Sequence, residues 1–371
     1  MPTSAKKEGT TMKRLKTLVS VVLSISILFS VSFAEFDTHT IDLFRQMLQE
    51  LYYKDLTDEE LEEAAIKGLF NSLDPYTVYY NKEEASEFEE AVSGTYVGIG
   101  IKMESLNGYI NVNQVFNNSS AKNAGVLPQD RILAVEGESV VGWSTSKAAS
   151  VIRGPEGTFV KITFGRGAEK YEVSLERRQV QVDSCSLDIL EDNIGYIKVE
   201  EFNATTYAEF ASMIKTLKVC GVKKLILDLR DNNGGYLSQC IAAAKLIVQK
   251  GKIVTIQYRD PEEDTTYRSS LDHKDFDIVT LVNGNTASAS EIVAGALKDS
   301  GAATLVGKKT FGKGIVQQMY NLKNGGAVKV TVAEYVTRND NHIHGVGIEP
   351  DIEIDGEEEQ LNKALELLRN K

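Results

Sequence analysis

Apolar positions in the first part of the chain recur at three- and four-residue steps: Ile41, Phe44, Leu48 and Leu51, then Leu61, Ala65 and Leu69. That spacing puts them on one face of a 3.6-residue period and predicts helices between Phe36 and about Val92. Thr57 followed by Glu60 predicts a capping box at the start of the second helix, and Ser72-Leu73-Asp74-Pro75-Tyr76 predicts a turn that ends it. From Ser93 to about Arg178 the pattern changes to short apolar runs punctuated by glycine, as in a compact β-rich module. There Tyr96-Val97-Gly98-Ile99-Gly100-Ile101 reads as a glycine-laced loop leading into a strand. Ala121 to Val126 reads as a short helix stopped by Gly125, and Asp130 to Gly137 as a strand and turn. After Gln179, strands alternate with helices. Strands are expected at Ile194 to Val199, Lys224 to Arg230, Ile278 to Val282 and Ala327 to Val336. Helices are expected at Thr205 to Leu217, Leu237 to Gln249 and Gln360 to Leu368. Such alternation predicts an α/β domain with at least partly parallel pairing. The fold class is therefore multidomain α/β, with a helical region at 35–92, a β-rich module at 93–180 and an α/β domain at 181–371.

Residues 1–34 have a different character. Lys13-Arg14-Leu15-Lys16 precedes a run of apolar residues and serines from Leu18 to Phe33, and Ser32-Phe33-Ala34 offers small residues for cleavage. The expectation is an export signal, with Met12 an alternative start, so that the rest of the protein is extracytoplasmic. The run is shorter than the ~20 apolar residues of a spanning helix. An uncleaved anchor is the alternative, and membrane association would then come through this segment alone.

Composition narrows the function. With 371 residues, 42% hydrophobic, there is material for two or three globular domains. A net charge of −12 and the lack of a basic stripe argue against nucleic acid as a partner. Cys185, Cys220 and Cys240 have no paired spacing, so neither a disulfide framework nor a zinc site is expected. Cys220 and Cys240 are expected to pack as small apolar residues. His342-x-His344 lacks a third ligand nearby and reads as an exposed loop. No metal and no cofactor are expected.

The chemistry concentrates between Thr280 and Gln318. A buried strand ends at Asn283-Gly284-Asn285, and the small residues Thr286, Ala287, Ser288, Ala289 and Ser290 lead into a helix near Glu291. A serine between two alanines at a strand-to-helix turn lets a substrate approach closely, and helix N-terminal amides can stabilise a developing oxyanion. Of the four histidines, His39 and His273 are poorly placed as a base. A lysine serves if burial penalises its charged form, and Lys313 between Gly312 and Gly314 is a candidate. Phe311, Ile315 and Val316 would supply an apolar wall. From spacing alone the plainer reading stands beside it, in which Ser288 caps a helix and Lys313 caps a turn.

Thr-Ala-Ser-Ala-Ser-Glu-Ile-Val-Ala-Gly-Ala-Leu (286–297), followed by Gly-Lys-Gly-Ile-Val-Gln (312–317), resembles the carboxy-terminal processing proteases, the tail-specific proteases of peptidase family S41. The resemblance implies that Ser288, rather than Ser290, is the nucleophile, Lys313 the general base and Gln317 the residue that orients it. It implies a crotonase- or ClpP-like fold for the α/β domain. Leu-Asp-Leu-Arg-Asp-Asn-Asn-Gly-Gly (227–235) also resembles the family, and implies an oxyanion hole made by the backbone of Gly234 or Gly235 with that of Ala289. The segment 338–344 departs from the family wording.

Gly-Ile-Gly-Ile (98–101), Ala-Gly-Val-Leu-Pro-Gln-Asp-Arg-Ile-Leu-Ala-Val (124–135) and Ile-Arg-Gly-Pro-Glu-Gly-Thr (152–158) resemble a PDZ domain. Such domains add a peptide as an extra strand and hold its terminal carboxylate on loop amides. Tyr96, Val97, Gly98, Ile99, Gly100 and Ile101 are thus the expected peptide-binding residues. The helical region resembles that of the family, Leu-Asp-Pro-Tyr included, and serves dimerisation or packing, or is a plain structural cap. The expected partners are protein or peptide substrates held by their C-termini, and a second copy in a homodimer. Two rival functions stand against an endopeptidase: a non-catalytic PDZ adaptor and a crotonase-like acyl-CoA enzyme.

Overall fold

The computed structural model describes residues 39–106 and 108–371, and the expected export signal lies outside them. The chain divides into two compact units between Ile66 and Lys67. Helix α1 (His39–Leu51) and helix α2 (Asp58–Asn71) form at the predicted spacing. The capping box is present: Thr57 N–H donates to Glu60 Oε2 at 2.8 Å, and Glu60 N–H to Thr57 Oγ1 at 3.2 Å. Neither helix buries a residue. The helical pattern does not run unbroken to Val92. A strand, β1 (Val78–Tyr80), interrupts it, and Asn81 then caps helix α3 (Lys82–Ser93) through a reciprocal Asn81–Glu84 box. Val-Tyr-Tyr is β-forming, and three residues are too few for periodicity to reveal.

The β-rich module comprises β2 (Thr95–Gly98), β3 (Ile101–Leu106), β4 (Tyr109–Val115), α4 (Ser120–Asn123), β5 (Arg131–Val135), β6 (Glu138–Ser139), α5 (Thr145–Ile152), β7 (Phe159–Arg166), β8 (Glu169–Glu176) and β9 (Arg178–Gln181). The main sheet runs β3-β4-β5-β7-β8, leaving β3 at an edge. Its core is built on Ile99, Ile110, Ile132, Val160, Ile162 and Phe164. Tyr96 to Gly98 are strand, where a loop was expected, because β2 pairs antiparallel with β9 and ties the module's two ends together.

The α/β domain follows with β10 (Cys185–Leu190), β11 (Ile194–Val199), α6 (Thr206–Val219), β12 (Lys224–Asp228), α7 (Leu237–Ala244), β13 (Gly251–Tyr258), β14 (Thr265–Ser269), β15 (Asp277–Val282), α8 (Ala289–Asp299), β16 (Ala303–Gly307), β17 (Ile315–Asn321), β18 (Ala327–Val336), β19 (Ile352–Glu353) and α9 (Glu357–Arg369). One sheet is ordered β10-β11-β12-β15-β16-β19, parallel from β11 onward. A second runs β1-β18-β13-β14, with β17 also on β18. Strands β12 and β15 are buried, as their unbroken apolar runs require. Helix α7 stops at Ala244, short of the expected Gln249, and the chain continues in turns. Cys185 and Cys240 are buried, but Cys220 is exposed at the end of α6 and does not pack. Among the described residues no helix is long and apolar enough to cross a membrane.

Candidate active site

Two strand-to-helix turns meet at the carboxyl ends of β12 and β15, where an open α/β sheet leaves a crevice. The turns are stitched together. Thr286 Oγ1 donates to the Leu229 carbonyl at 2.8 Å, Ala287 N–H donates to the Asn232 carbonyl at 3.0 Å, and Asp231 accepts from the Asn283 and Asn285 amides. Ser288 ends the second turn with φ 55° and ψ −117°. This conformation is rare for a residue with a Cβ and costs ~1–3 kcal/mol, so the surroundings must enforce it.

Glu291 and Tyr335 do so. The fully buried Glu291 carboxylate takes Ser288 N–H at 2.9 Å and Lys313 N–H at 2.8 Å on Oε2, and Gly312 N–H at 2.8 Å and the Thr310 hydroxyl at 2.5 Å on Oε1. The Tyr335 hydroxyl lies 2.9 Å from the Ser288 carbonyl and 2.8 Å from that of Lys313. One carboxylate and one phenol thus hold the serine and lysine segments in register. Burial pushes the Tyr335 hydroxyl's pKa well above its ordinary value, so it stays a donor.

Ser288, Ala289, Lys313, Gln317, Gly234 and Gly235 all line one cavity of about 630 Å³. Ser290, by contrast, is fully buried, and its hydroxyl has no partner. The N–H of Ala289, at the first position of α8, has no intrahelical acceptor. Gly234 donates its N–H to Asn232 Oδ1 at 2.8 Å. Gly235 pairs with Phe202 through its neighbours, Phe202 N–H to the Gly234 carbonyl and Tyr236 N–H to the Phe202 carbonyl, which leaves its own N–H free. Glycine is required at 234: with φ +107°, a Cβ there would stand 2.9 Å from Ser288 Cβ.

Burial holds the Lys313 ammonium below the usual lysine range, and the positive charge of Lys329 adds to this, while Asp74 and Glu291 oppose it. Its Nζ lies 4.7 Å from the centre of the Tyr76 ring. Ile315 is buried and contributes to the wall, but Phe311 is 56% exposed and does not. Other apolar surface comes from α3, where Phe88, Ala91 and Val92 line the cavity. Gln317 donates Nε2–H to Thr331 Oγ1 at 3.5 Å; no hydrogen bond joins Lys313 Nζ to Gln317 or to Ser288 Oγ. Sequence reasoning passed over Glu291, Tyr335, Tyr76 and Lys329. Only Glu291 left a signal, three residues after the serine as a capping box requires.

A second concavity of about 230 Å³ lies in the β-rich module between edge strand β3 and α5. Tyr96, Gly98, Ile99, Gly100 and Ile101 line it; Val97 does not. Arg153 adds a cation that sequence reasoning did not single out. Its guanidinium lies 5.5 Å from the Tyr96 ring centre and 3.6 Å from Glu90 of α3. His273 pairs with Asp272 on the surface, and His342 lies 3.5 Å from Glu334, both away from the serine cavity.

The profile of Peptidase family S41 matches residues 193–354, and that of the PDZ domain residues 87–164. The chain is 38% identical over 314 residues to a "Probable CtpA-like serine protease" of Staphylococcus aureus (strain N315), covering 84% of this chain and 63% of that protein. It is 37% identical over 304 residues to the "Carboxy-terminal processing protease CtpA" of Bacillus subtilis (strain 168), covering 81% of this chain and 65% of that protein. The chain thus spans less than two thirds of the length of these curated relatives. Among solved structures it is similar to a photosystem II D1 C-terminal processing protease, at TM-score 0.51 and 26% identity over 88% of this chain and 90% of that one. By these matches residues 193–354 are a peptidase family S41 domain and residues 87–164 a PDZ domain, in a chain similar to the carboxy-terminal processing proteases.

Proposed function

We propose that this chain is an exported serine endopeptidase that cleaves protein substrates recruited by their C-termini. The observation that supports it most is the shared cavity: a serine on a positive-φ cap, a desolvated lysine and two unengaged amides line one space. In this reading Ser288 Oγ attacks the scissile carbonyl carbon while neutral Lys313 Nζ takes the hydroxyl proton. The same proton then passes to the leaving amine, and water repeats the sequence on the acyl-enzyme. The Ala289 and Gly235 amides receive the oxyanion, since the Gly234 amide is already committed to Asn232. Gln317 orients the lysine. The groove of residues 93–180 takes the substrate's terminal residues as a strand on β3, with its carboxylate on the Ile99 and Gly100 amides and beside Arg153. Export rests on the pattern in residues 1–34. The apolar face of α1 is the surface for a second copy.

Incubation with denatured casein tests the catalytic part. Ser288→Ala and Lys313→Ala should each abolish fragment formation while circular dichroism and melting temperature stay close to those of the parent. Unchanged cleavage by Ser288→Ala refutes the mechanism and returns the adaptor and acyl-CoA alternatives.

A further inference from the structure

The turn at Ser72–Thr77 packs against the base, which its sequence, a plain helix stop, did not announce. Asp74 accepts four hydrogen bonds: from Tyr76 N–H at 2.8 Å, Thr77 N–H at 3.0 Å, the Thr77 hydroxyl at 2.6 Å and the Thr331 hydroxyl at 3.1 Å. The turn is fastened to β18 twice more, by Thr331 N–H on Thr77 Oγ1 at 3.0 Å and by the antiparallel pairing of β1 with Lys329, Val328 and Ala327. Thr331 in turn stands opposite Gln317, because a bulge between Val316 and Gln317 shifts the β17–β18 register there. Bulges beside active sites re-aim side chains, and this one points Gln317 at the Thr331 hydroxyl. On the other side of the turn, the Tyr76 ring lies under Lys313 Nζ.

We propose that this turn is a positioning element for the catalytic base, in which Asp74 acts through Thr331 to fix which end of the Gln317 amide faces Lys313, and Tyr76 supplies the wall on which the lysine rests. It rests on the Ser288–Lys313 reading above and adds the residues that orient it.

The direction of the chain follows from donor counting. Burial opposes ionisation of Asp74, but its four hydrogen bonds win and hold its carboxyl below the usual carboxylate range, so at neutral pH it only accepts. The Thr331 hydroxyl has one proton, which goes to Asp74, and can then only accept from Gln317. The Gln317 nitrogen is therefore held by Thr331, and its carbonyl oxygen is the free end. No hydrogen bond joins Lys313 Nζ to that oxygen in this structure; in the working state the lysine stem turns to donate a hydrogen to it, which presents the nitrogen lone pair to the serine. Without Thr331 the amide can turn over and offer N–H groups to an amine that must itself stay a base.

Charge and position separate experimentally. The charged groups facing Lys313 are Lys329 on β18, Asp74 on the turn and Glu291 on α8, with Tyr76 and Tyr335 beside them. Thr331→Val removes the relay without altering charge, so kcat should fall by ~10-fold or more, with KM and the acidic limb of the pH profile unmoved. Thr331→Ser should restore most of the rate. Asp74→Asn removes a negative neighbour, so the acidic limb should move to lower pH as kcat falls. Casein cleavage and the kcat–pH profile are the readouts, with melting temperature as the check on folding. The proposal is overturned if Thr331→Val keeps the parent kcat, or if Thr331→Ser is as slow as Thr331→Val. Activity surviving in Lys313→Ala sinks the base assignment instead, and so distinguishes the two failures.

Discussion

Lys313 has to be neutral to accept a proton, and its neighbours set how much of it is. Burial comes first and Lys329 second in lowering its proton affinity, against Asp74 and Glu291. As pH falls through the folded pKa the lysine becomes charged and cleavage fades, so the rate should rise with pH along a single ionisation. Lys329→Met removes the repelling cation, which raises the Lys313 pKa and should displace the acidic limb of kcat to higher pH. An unmoved limb would show that the two ammonium groups do not communicate. On this reading no histidine is needed, and replacing each of the four with alanine should leave the profile in place. At this scale Ser288 and Lys313 were legible, because a serine among alanines and a lysine between glycines are unusual in composition and matched a family pattern. Glu291 and Tyr335 were not singled out as parts of the site: the capping-box spacing of Glu291 does not show that its carboxylate also takes the Gly312 and Lys313 amides, and Tyr335 reaches the site only once β18 folds beside it. The exposure of Phe311 and Cys220 was illegible for the same reason: an apolar residue's burial is decided by neighbours far along the chain.

Helix α1 poses an element-scale question. Leu43, Phe44, Met47, Leu48 and Leu51 are all exposed on its apolar side, a larger contiguous apolar surface than isolated surface residues account for. Phe44→Glu combined with Leu51→Lys should convert self-associated protein to monomer in sedimentation equilibrium; a parent already monomeric at tens of micromolar (roughly the range expected of a modest apolar interface) removes the dimer. The long periodic elements, α2, α6, β12, β15 and β18 among them, were readable because about four helical turns of pattern, an unbroken apolar run or a long β-branched stretch leaves little choice. The short ones were not. Three-residue β1 carries no period, and β2 reads as a glycine loop until β9, more than eighty residues later, pairs with it. The bulge that aims Gln317 has no signature of its own.

Across the whole molecule, α3 contributes to both concavities: Phe88, Ala91 and Val92 line the serine cavity, and Glu90 reaches Arg153 at the peptide groove. If the groove holds a terminal carboxylate, a peptide ending in a free carboxylate should be cleaved with a lower KM than its carboxamide, and Arg153→Ala should erase most of that difference with little change in kcat. Equal KM values for the two peptides would remove Arg153 and the loop amides from recognition. Helix α3 as a shared element was not legible, since it lies ahead of the glycine-rich and serine segments that carried the two resemblances. The clamp formed by Glu291 and Tyr335 has a mechanical corollary. With both backbones bolted to the same two side chains, Ser288 and Lys313 have no hinge between them. The freedom that remains is torsional and belongs to the four-carbon stem of Lys313. An idle and a working enzyme would then superimpose in their main chain around the site and differ in rotamer alone, so that commitment to catalysis costs a swing of one side chain and not the assembly of a loop.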